Sequence, residues 1–332
     1  MGAALLLSRA MRLLMMGTGP FAAPTFETLL DGPHEVLGLV TRPVPPAVGR
    51  RKVPENPMRD VAVARGVELF EPDSINATES IERLAAWNAD LLVVCDYGQI
   101  LSREALGTSR LGGINLHGSL LPRHRGAAPV HWAIWEGDAE TGVSVIHMTP
   151  RLDGGPILTT RRMPIGPDDT TASLEPRLAE LGVGAVSEAI AMLESWDGVS
   201  SIGEPQDAAR VTKAPRLNKQ VGQVDWSQPA ARIERQVRAL QPWPGTYTNW
   251  NRDGEALRLI LDRVHVVREL ATESRPGESK PGEVVVSDGQ QLVIATGEGC
   301  LRIERIQPAG KRVMEVAEFL RGKSVPVGTC FE

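Results

Sequence analysis

Residues 12–40 read RLLMMGTGPFAAPTFETLLDGPHEVLGLV, and the fold class is decided there. Arg12 to Met16 is an apolar run of strand length, Phe21 to Leu30 carries apolar residues at helical spacing, and Val36 to Val40 is a second apolar run. A strand apolar on both faces is one buried inside a parallel sheet, and two parallel neighbours need a crossover, usually a helix, between them. The stretch is therefore a βαβ unit. Helical patterns at Pro57 to Arg65 and Ser80 to Trp87 lead on to a third apolar run, Leu91 to Cys95. Together these segments predict an α/β fold: an open, mostly parallel, Rossmann-like sheet with helices on both faces.

Further strands are expected at Gly113 to Leu116, Gly142 to Met148 and Pro156 to Pro164, with helices at Ala127 to Glu136 and Thr171 to Ser195. Residues 200–216 turn polar, with Gly203, Pro205 and Pro215, and read as a connector. After a helix at Pro229 to Leu240 the pattern changes to short β-like segments: Tyr247 to Trp250, Leu257 to Val267, Glu283 to Ser287, Leu292 to Ala295 and Cys300 to Ile306. Short strands separated by Gly-containing turns predict a small OB-like β-barrel. The expected organisation is an N-terminal extension at 1–10, an α/β domain at 11–199, the connector at 200–216 and a barrel domain at 217–332.

The 332 residues hold 36 Lys+Arg against 41 Asp+Glu, and a net charge of −5 excludes a protein that coats nucleic acid by bulk charge. The charge is uneven. Through Thr212 there are 18 basic and 26 acidic residues, and from Lys213 onward 18 basic and 15 acidic. Within the acidic part, one acid-free stretch between Val36 and Pro54 carries Arg42, Arg50, Arg51 and Lys52 in a Pro/Gly-rich loop, which suits phosphate binding. Cys95, Cys300 and Cys330 form no Cys-x-x-Cys pair and no disulfide framework, the usage of a reducing compartment. No apolar run approaches the roughly 20 residues of a membrane span. The first ten residues lack the basic start and cleavage site of a signal peptide, so a cytoplasmic location is expected.

Chemistry is suggested at several places. Gly17-Thr-Gly19-Pro-Phe-Ala22 is a G-x-G-x-x-A turn between a strand and a helix, the form that receives a dinucleotide phosphate. Thr41 and Arg42 stand where an acidic ribose partner is usual, and an Arg there suits a 2′-phosphate, so an NADP-dependent oxidoreductase is one alternative. Asn115 and His117, two apart at a strand end, point to one face and suit a carbonyl substrate: the amide stabilises an oxyanion and the imidazole moves a proton. Asp153, in a glycine-flanked loop, could orient His117, with Ser144 in support; either could equally be an ordinary turn or strand residue. Arg123, His124 and Arg125 form a cationic cluster beyond Pro122. His34, His131, His147 and His265 lack metal-ligand spacing and read as structural, Trp132 and Trp135 as packing groups, and Cys95 as a buried thiol.

The segments NLHGSLLPRHRGAAP (115–129), TGVSV (141–145) and LDGGP (152–156) together resemble the formyltransferases that use 10-formyltetrahydrofolate. MGTGPFA (16–22), APRL (214–217), VDWS (224–227), QPWPGTY (241–247), QPAGKR (307–312) and EFLRG (318–322) resemble the branch of that family acting on initiator methionyl-tRNA. The likeness covers nearly everything after residue 10. It implies transfer of a formyl group from N10 of the folate to the methionine amino group, without a metal. A monomer is the expected state. The likeness places catalysis on Asn115, His117 and Asp153, folate contact on Ser119, Leu120, Leu121 and Pro122, and contact with the tRNA acceptor stem on the loop around Arg50, Arg51 and Lys52, with Arg42 beside it. In those roles Asn115 and His117 hold the formyl oxygen, His117 relays a proton to N10, and Asp153 orients His117 and accepts the amine proton. The chain departs from the usual pattern at Gly19-Pro20, at Asp96 where Ala is common near the pterin pocket, and at Asp153-Gly-Gly-Pro156, which is similar to the glycinamide ribonucleotide formyltransferases. The alternatives are a sugar-nucleotide N-formyltransferase, the NADP-dependent oxidoreductase, and a tRNA-binding module with an inactive catalytic domain.

Overall fold

The computed structural model describes residues 10–45, 55–252, 254–267 and 279–332. The chain divides into two compact units, one of Met1–Pro129, Glu140–Pro164 and Glu175–Pro215, the other of Val130–Ala139, Ile165–Leu174 and Arg216–Glu332. Up to residue 215 the elements are β1 (Arg12–Gly17), α1 (Ala23–Leu30), β2 (Glu35–Val40), α2 (Pro57–Arg65), β3 (Leu69–Phe70), α3 (Thr78–Ala86), β4 (Leu91–Cys95) and α4 (Arg103–Leu106). They continue as β5 (Gly113–His117), β6 (Arg125–Gly126), α5 (Pro129–Glu136), β7 (Glu140–His147), β8 (Ile157–Pro164), α6 (Thr171–Glu194) and β9 (Lys213–Ala214).

The first unit is built on one sheet of order β3-β2-β1-β4-β5-β7-β8. β3 to β5 in that order run parallel, whereas β7 and β8 are antiparallel to their neighbours. The apolar runs explain the burial on both faces. Leu14, Met16, Leu92 and Val94 join Leu84 and Trp87 in one core. Leu13, Met15, Leu91 and Val93 alternate with them, point to the opposite face and are also buried. The chain enters at β1, moves outward to β3, then returns beside β1 as β4 and moves out the other way. The strand order thus reverses between β1 and β4, and the crevice at their carboxyl ends is where open α/β sheets receive ligands. On the far side of β5, α6 lies close because Gly182 has no side chain: a Cβ there would stand 2.6 Å from Leu116 Cδ2.

The second unit contains α7 (Ala230–Ala239), β10 (Thr246–Arg252), β11 (Glu255–Val267), β12 (Val284–Ser287), β13 (Leu292–Ala295), β14 (Cys300–Pro308), β15 (Met314–Glu315) and α8 (Val316–Gly322). Its antiparallel sheet has the order β10-β11-β14-β13-β12, with β15 on β14. The last residues close it into a barrel. Asn249 and Glu332 exchange backbone hydrogen bonds of 2.8 and 2.9 Å on the β10 side, and Phe331 N donates to Gly282 O at 2.8 Å and Val284 N to Thr329 O at 2.8 Å on the β12 side. Both edges are thereby paired. Phe331, 3% exposed, joins Trp226, Ile233, Val237, Trp250 and Phe319 in the barrel core.

The two-residue strands β3, β6, β9 and β15 and the short helices α4 and α8 carry no periodic signal long enough to read in advance. Residues 200–216, expected as a connector, are laid along the first unit: Ile157 and Glu204 exchange two backbone hydrogen bonds of 2.8 Å, and β9 pairs with β6 in parallel.

Candidate active site

β5 delivers Asn115 and His117 to one face of the sheet at the crevice, Asn115 paired with Val94 of β4 and His117 with Ser144 of β7. His117 is 6% exposed, and its Nε2 lies 2.9 Å from the carbonyl oxygen of His124. A carbonyl has no proton to give, so Nε2 carries the hydrogen and donates it. In the neutral ring Nδ1 is then left with a lone pair, and it faces Asp153 Oδ2 at 3.8 Å. That is too long for a hydrogen bond, but it becomes an ion pair once Nδ1 is protonated. The His124 carbonyl, which the sequence did not suggest, holds the ring from the nitrogen opposite the one that faces Asp153.

Asp153 is fixed by Gly126 N, which donates to its Oδ2 at 2.8 Å. Its φ of +47° is left-handed, a region Asp tolerates better than bulkier residues. The Gly-Gly that follows has a steric reason, since a Cβ on Gly155 would stand 1.8 Å from the carbonyl oxygen of His147. His124 is held in turn through its N–H, which donates to Thr212 Oγ1 at 2.8 Å. Asn115 is half-buried, and among the described residues its carboxamide has no hydrogen-bond partner. A donor, a lone pair and a carboxylate therefore meet at one strand end with their reactive atoms uncommitted or only singly engaged.

Ser144, left open between site and solvent in the sequence, is fully buried. Its hydroxyl donates to Ser119 O at 2.8 Å and accepts from Leu121 N at 3.1 Å, stapling the turn 119–122 to β7. Ser119 Oγ donates to Arg123 O at 2.7 Å. Ser119, Leu121 and Pro122 are buried and Leu120 is half-buried, so the turn's shape is set by protein contacts.

The space above the G-x-G-x-x-A turn is taken by a side chain of the protein. A Cβ on Gly19 would stand 1.7 Å from Asp96 Oδ2, so a carboxylate occupies the space above the turn. Ala22 N and Ala23 N already donate to Gly19 O and Pro20 O at 3.2 and 3.3 Å, and Pro24 has no N–H. Thr41, at the end of β2, is engaged with Thr18 Oγ1 at 3.3 Å and Asn56 Nδ2 at 3.0 Å. Asp96 is exposed at the end of β4, and partial removal of its carboxyl from bulk solvent raises its pKa to about 6. Glu175 of α6 is raised to about 7, by burial first and then by the charge of Asp96. Nothing in the sequence pointed to Glu175, which only the fold brings near β4; the same holds for Thr212 and the His124 carbonyl.

Arg42 is exposed, its Nη1 and Cδ each 3.4 Å from where a Gly98 Cβ would stand, at the carboxyl ends of β2 and β4. Arg50, Arg51 and Lys52 lie outside the described residues. His34 accepts from Met11 N at 3.3 Å, His147 Nε2 lies 2.8 Å from Leu111 O, His265 pairs with Glu304, and burial lowers the pKa of His131 to about 4. Trp132 and Trp135 stack with centroids 5.0 Å apart. Burial pushes the Cys95 thiol well up, which keeps it from acting as a nucleophile. Among the described residues no helix is long and apolar enough to cross a membrane.

Comparison with known proteins places this geometry in a family. The formyl transferase model matches residues 11–190, and the formyl transferase C-terminal domain model residues 216–324. The chain is 48% identical over 329 residues to the methionyl-tRNA formyltransferase of Rhodopirellula baltica, with 96% of each chain covered. It is 41% identical over 322 residues to that of Symbiobacterium thermophilum, covering 97% of this chain and 95% of the relative. Two solved structures share its fold. One is the sugar 3N-formyl transferase WlaRD, with a TM-score of 0.62 at 14% identity over 92% of this chain and 100% of the other. The other is HypX from Aquifex aeolicus in complex with tetrahydrofolic acid, with a TM-score of 0.59 at 19% identity over 94% of this chain. The chain spans 47% of the length of HypX. With both family models matched in order and relatives aligned from end to end, the chain belongs to the methionyl-tRNA formyltransferase family.

Proposed function

We propose that this enzyme transfers the formyl group of 10-formyltetrahydrofolate to the amino group of methionine on initiator methionyl-tRNA. The observation that carries the reading is the grouping of an Asn115 carboxamide that has no hydrogen-bond partner among the described residues, a His117 Nδ1 lone pair and the Asp153 carboxylate, the last two 3.8 Å apart. A formyl amide under attack by an amine sets three tasks: its oxygen gains charge, the amine must lose a proton, and the departing nitrogen must gain one. The donor set fits those tasks.

Bound in the crevice, the folate would supply the activated formyl carbon. Asn115 donates to the formyl oxygen as charge accumulates there. His117, with Nε2 committed to the His124 carbonyl, exchanges protons only at Nδ1, taking one from the amine and returning one to the departing nitrogen. Asp153 faces that Nδ1–H and stabilises the imidazolium while it lasts. One C–N bond forms and one breaks, and the net proton movement is from attacking to departing nitrogen. The turn 119–122 lines the folate side, and Arg42, Arg50, Arg51 and Lys52 supply cationic charge toward the acceptor stem. The enzyme acts as a monomer in the cytoplasm, where initiator tRNA is charged.

A sugar-nucleotide acceptor is the second reading, and the fold shared with WlaRD favours it only as far as fold goes. The +3 balance after Thr212 and the basic loop support tRNA, because an acceptor stem presents many phosphates and a nucleotide sugar two. The test is an assay with 10-formyltetrahydrofolate and either charged initiator tRNA or an amino-sugar nucleotide. Formylation of the tRNA is the expected result; formylation of the sugar alone overturns the reading.

A further inference from the structure

The geometry points to Gln206 as a positioning residue for this reaction, acting through Asp153; the inference rests on the function proposed above. Its side chain is completely engaged. Nε2 donates to Asp153 O at 2.8 Å and to Gly155 O at 2.7 Å, while Oε1 accepts from Arg125 Nε at 3.0 Å and Arg125 Nη2 at 2.6 Å. The amide has one workable orientation, because a guanidinium only donates and a carbonyl only accepts. The residue after Arg125 returns to the same loop, with Gly126 N on Asp153 Oδ2 at 2.8 Å. Gln206, Arg125, Gly126 and Asp153 thus form a closed circuit of hydrogen bonds.

The loop needs such a circuit. Asp153 sits at φ +47°, and the two residues after it are glycines, so the backbone of the loop is free to take other shapes unless it is tied from outside. The segment that supplies Gln206 also supplies Thr212, whose hydroxyl takes the His124 N–H at 2.8 Å, and the His124 carbonyl holds His117. One stretch outside both catalytic loops therefore sets both ends of the 3.8 Å gap between His117 Nδ1 and Asp153 Oδ2. Gln206 touches no reacting atom. Its effect is to fix where the carboxylate stands when the imidazolium forms.

The test compares Gln206→Glu in two backgrounds, the parent and Asp153→Asn, by formyl transfer to methionyl-tRNA with melting followed on the same samples. Glu keeps the acceptor for Arg125 and removes both donors to the loop carbonyls. In the parent, kcat per folded molecule is expected to fall about 10- to 100-fold with KM for both substrates little moved, as for a misplaced catalytic group. In the Asp153→Asn background the same change is expected to cost less than about threefold, because residues acting as a unit are not additive. A merely structural Gln206 would lower melting and leave turnover per folded molecule alone. Turnover within threefold of the parent overturns the inference, and so does an equal loss in both backgrounds. If Asp153→Asn itself turns over like the parent, the site reading falls and the inference with it. Should Gln206→Glu not fold, Gln206→Asn keeps the amide on a shorter arm, and the same two-background comparison decides.

Discussion

Asn115→Ala separates catalysis from stability more cleanly than any other change in the site. The carboxamide is half-buried and has no hydrogen-bond partner among the described residues, so removing it strands no other polar group. Stability should change by under about 1 kcal/mol, the range for substitutions that break no buried network. Activity should respond differently. A donor aimed at an oxygen that becomes charged only in the transition state is worth about 2.7–4 kcal/mol, so kcat should fall by about 10²–10³. KM should barely move, since the ground-state carbonyl gains less from that donor. Asn115→Asp keeps the shape but sets an anion where the oxyanion forms, and its loss should deepen as pH rises. The assay is single-turnover formyl transfer at saturating substrates, paired with denaturant unfolding of each variant. A kcat within about tenfold of the parent, against the 10²–10³ expected for an oxyanion donor, would refute the assigned role. Unfolding free energy lowered by more than about 2 kcal/mol would show instead that Asn115 is part of the packing.

Other expectations follow from the same geometry. Phe331→Ala should destabilise the second unit by about 3–5 kcal/mol in denaturant, because it empties a core position on the terminal segment that closes the barrel; a change under about 1 kcal/mol would mean closure does not depend on that segment. Asp96 has its carboxyl pKa raised to about 6, so the unfolded chain ionises it first and the folded state loses stability as pH rises from 3.8 through about 6. Asp96→Asn should therefore melt above the parent at pH 8 and converge with it near pH 4, by an amount softened by the residue's contact with water; an equal offset at both pH values would contradict the cause. Replacing Arg50, Arg51 and Lys52 by Ala should weaken tRNA binding and flatten the slope of log affinity against log salt by about 0.7–0.9 for each phosphate no longer neutralised. Unchanged affinity and slope would remove the loop from the interface.

What the sequence made legible was what short-range pattern encodes. The runs Arg12 to Met16 and Leu91 to Cys95 announce buried parallel strands because both faces are apolar, and β1 and β4 lie there. Asn115 and His117 could be paired because two residues on one strand share a face by geometry alone. The reversal of β7 and β8 could not be read, since a strand's apolar content does not say which way it runs. Nor could the partner of His117: the His124 carbonyl is a backbone atom, invisible in any residue pattern, and Thr212 takes the N–H of that same residue across 88 positions of chain. The polar segment 200–216 looked like a connector because its composition is that of a loop, yet it holds Gln206 and Thr212 against the catalytic loops.

Asp96 shows how one residue decides between chemistries that a motif leaves open. The turn after β1 has the glycines of a dinucleotide site, and Gly19 does lack a side chain for a steric reason. The group that needs the room is the Asp96 carboxylate, 1.7 Å from the position of the missing Cβ. With Glu175 nearby, also raised by burial and by that charge, the crevice above the sheet's switch point carries acid where a phosphate-binding site would carry free N–H groups. Where ionised, those carboxylates disfavour a cofactor phosphate against the turn. The two carboxylates at the switch point thus favour a ligand that meets them with hydrogen-bond donors rather than phosphate.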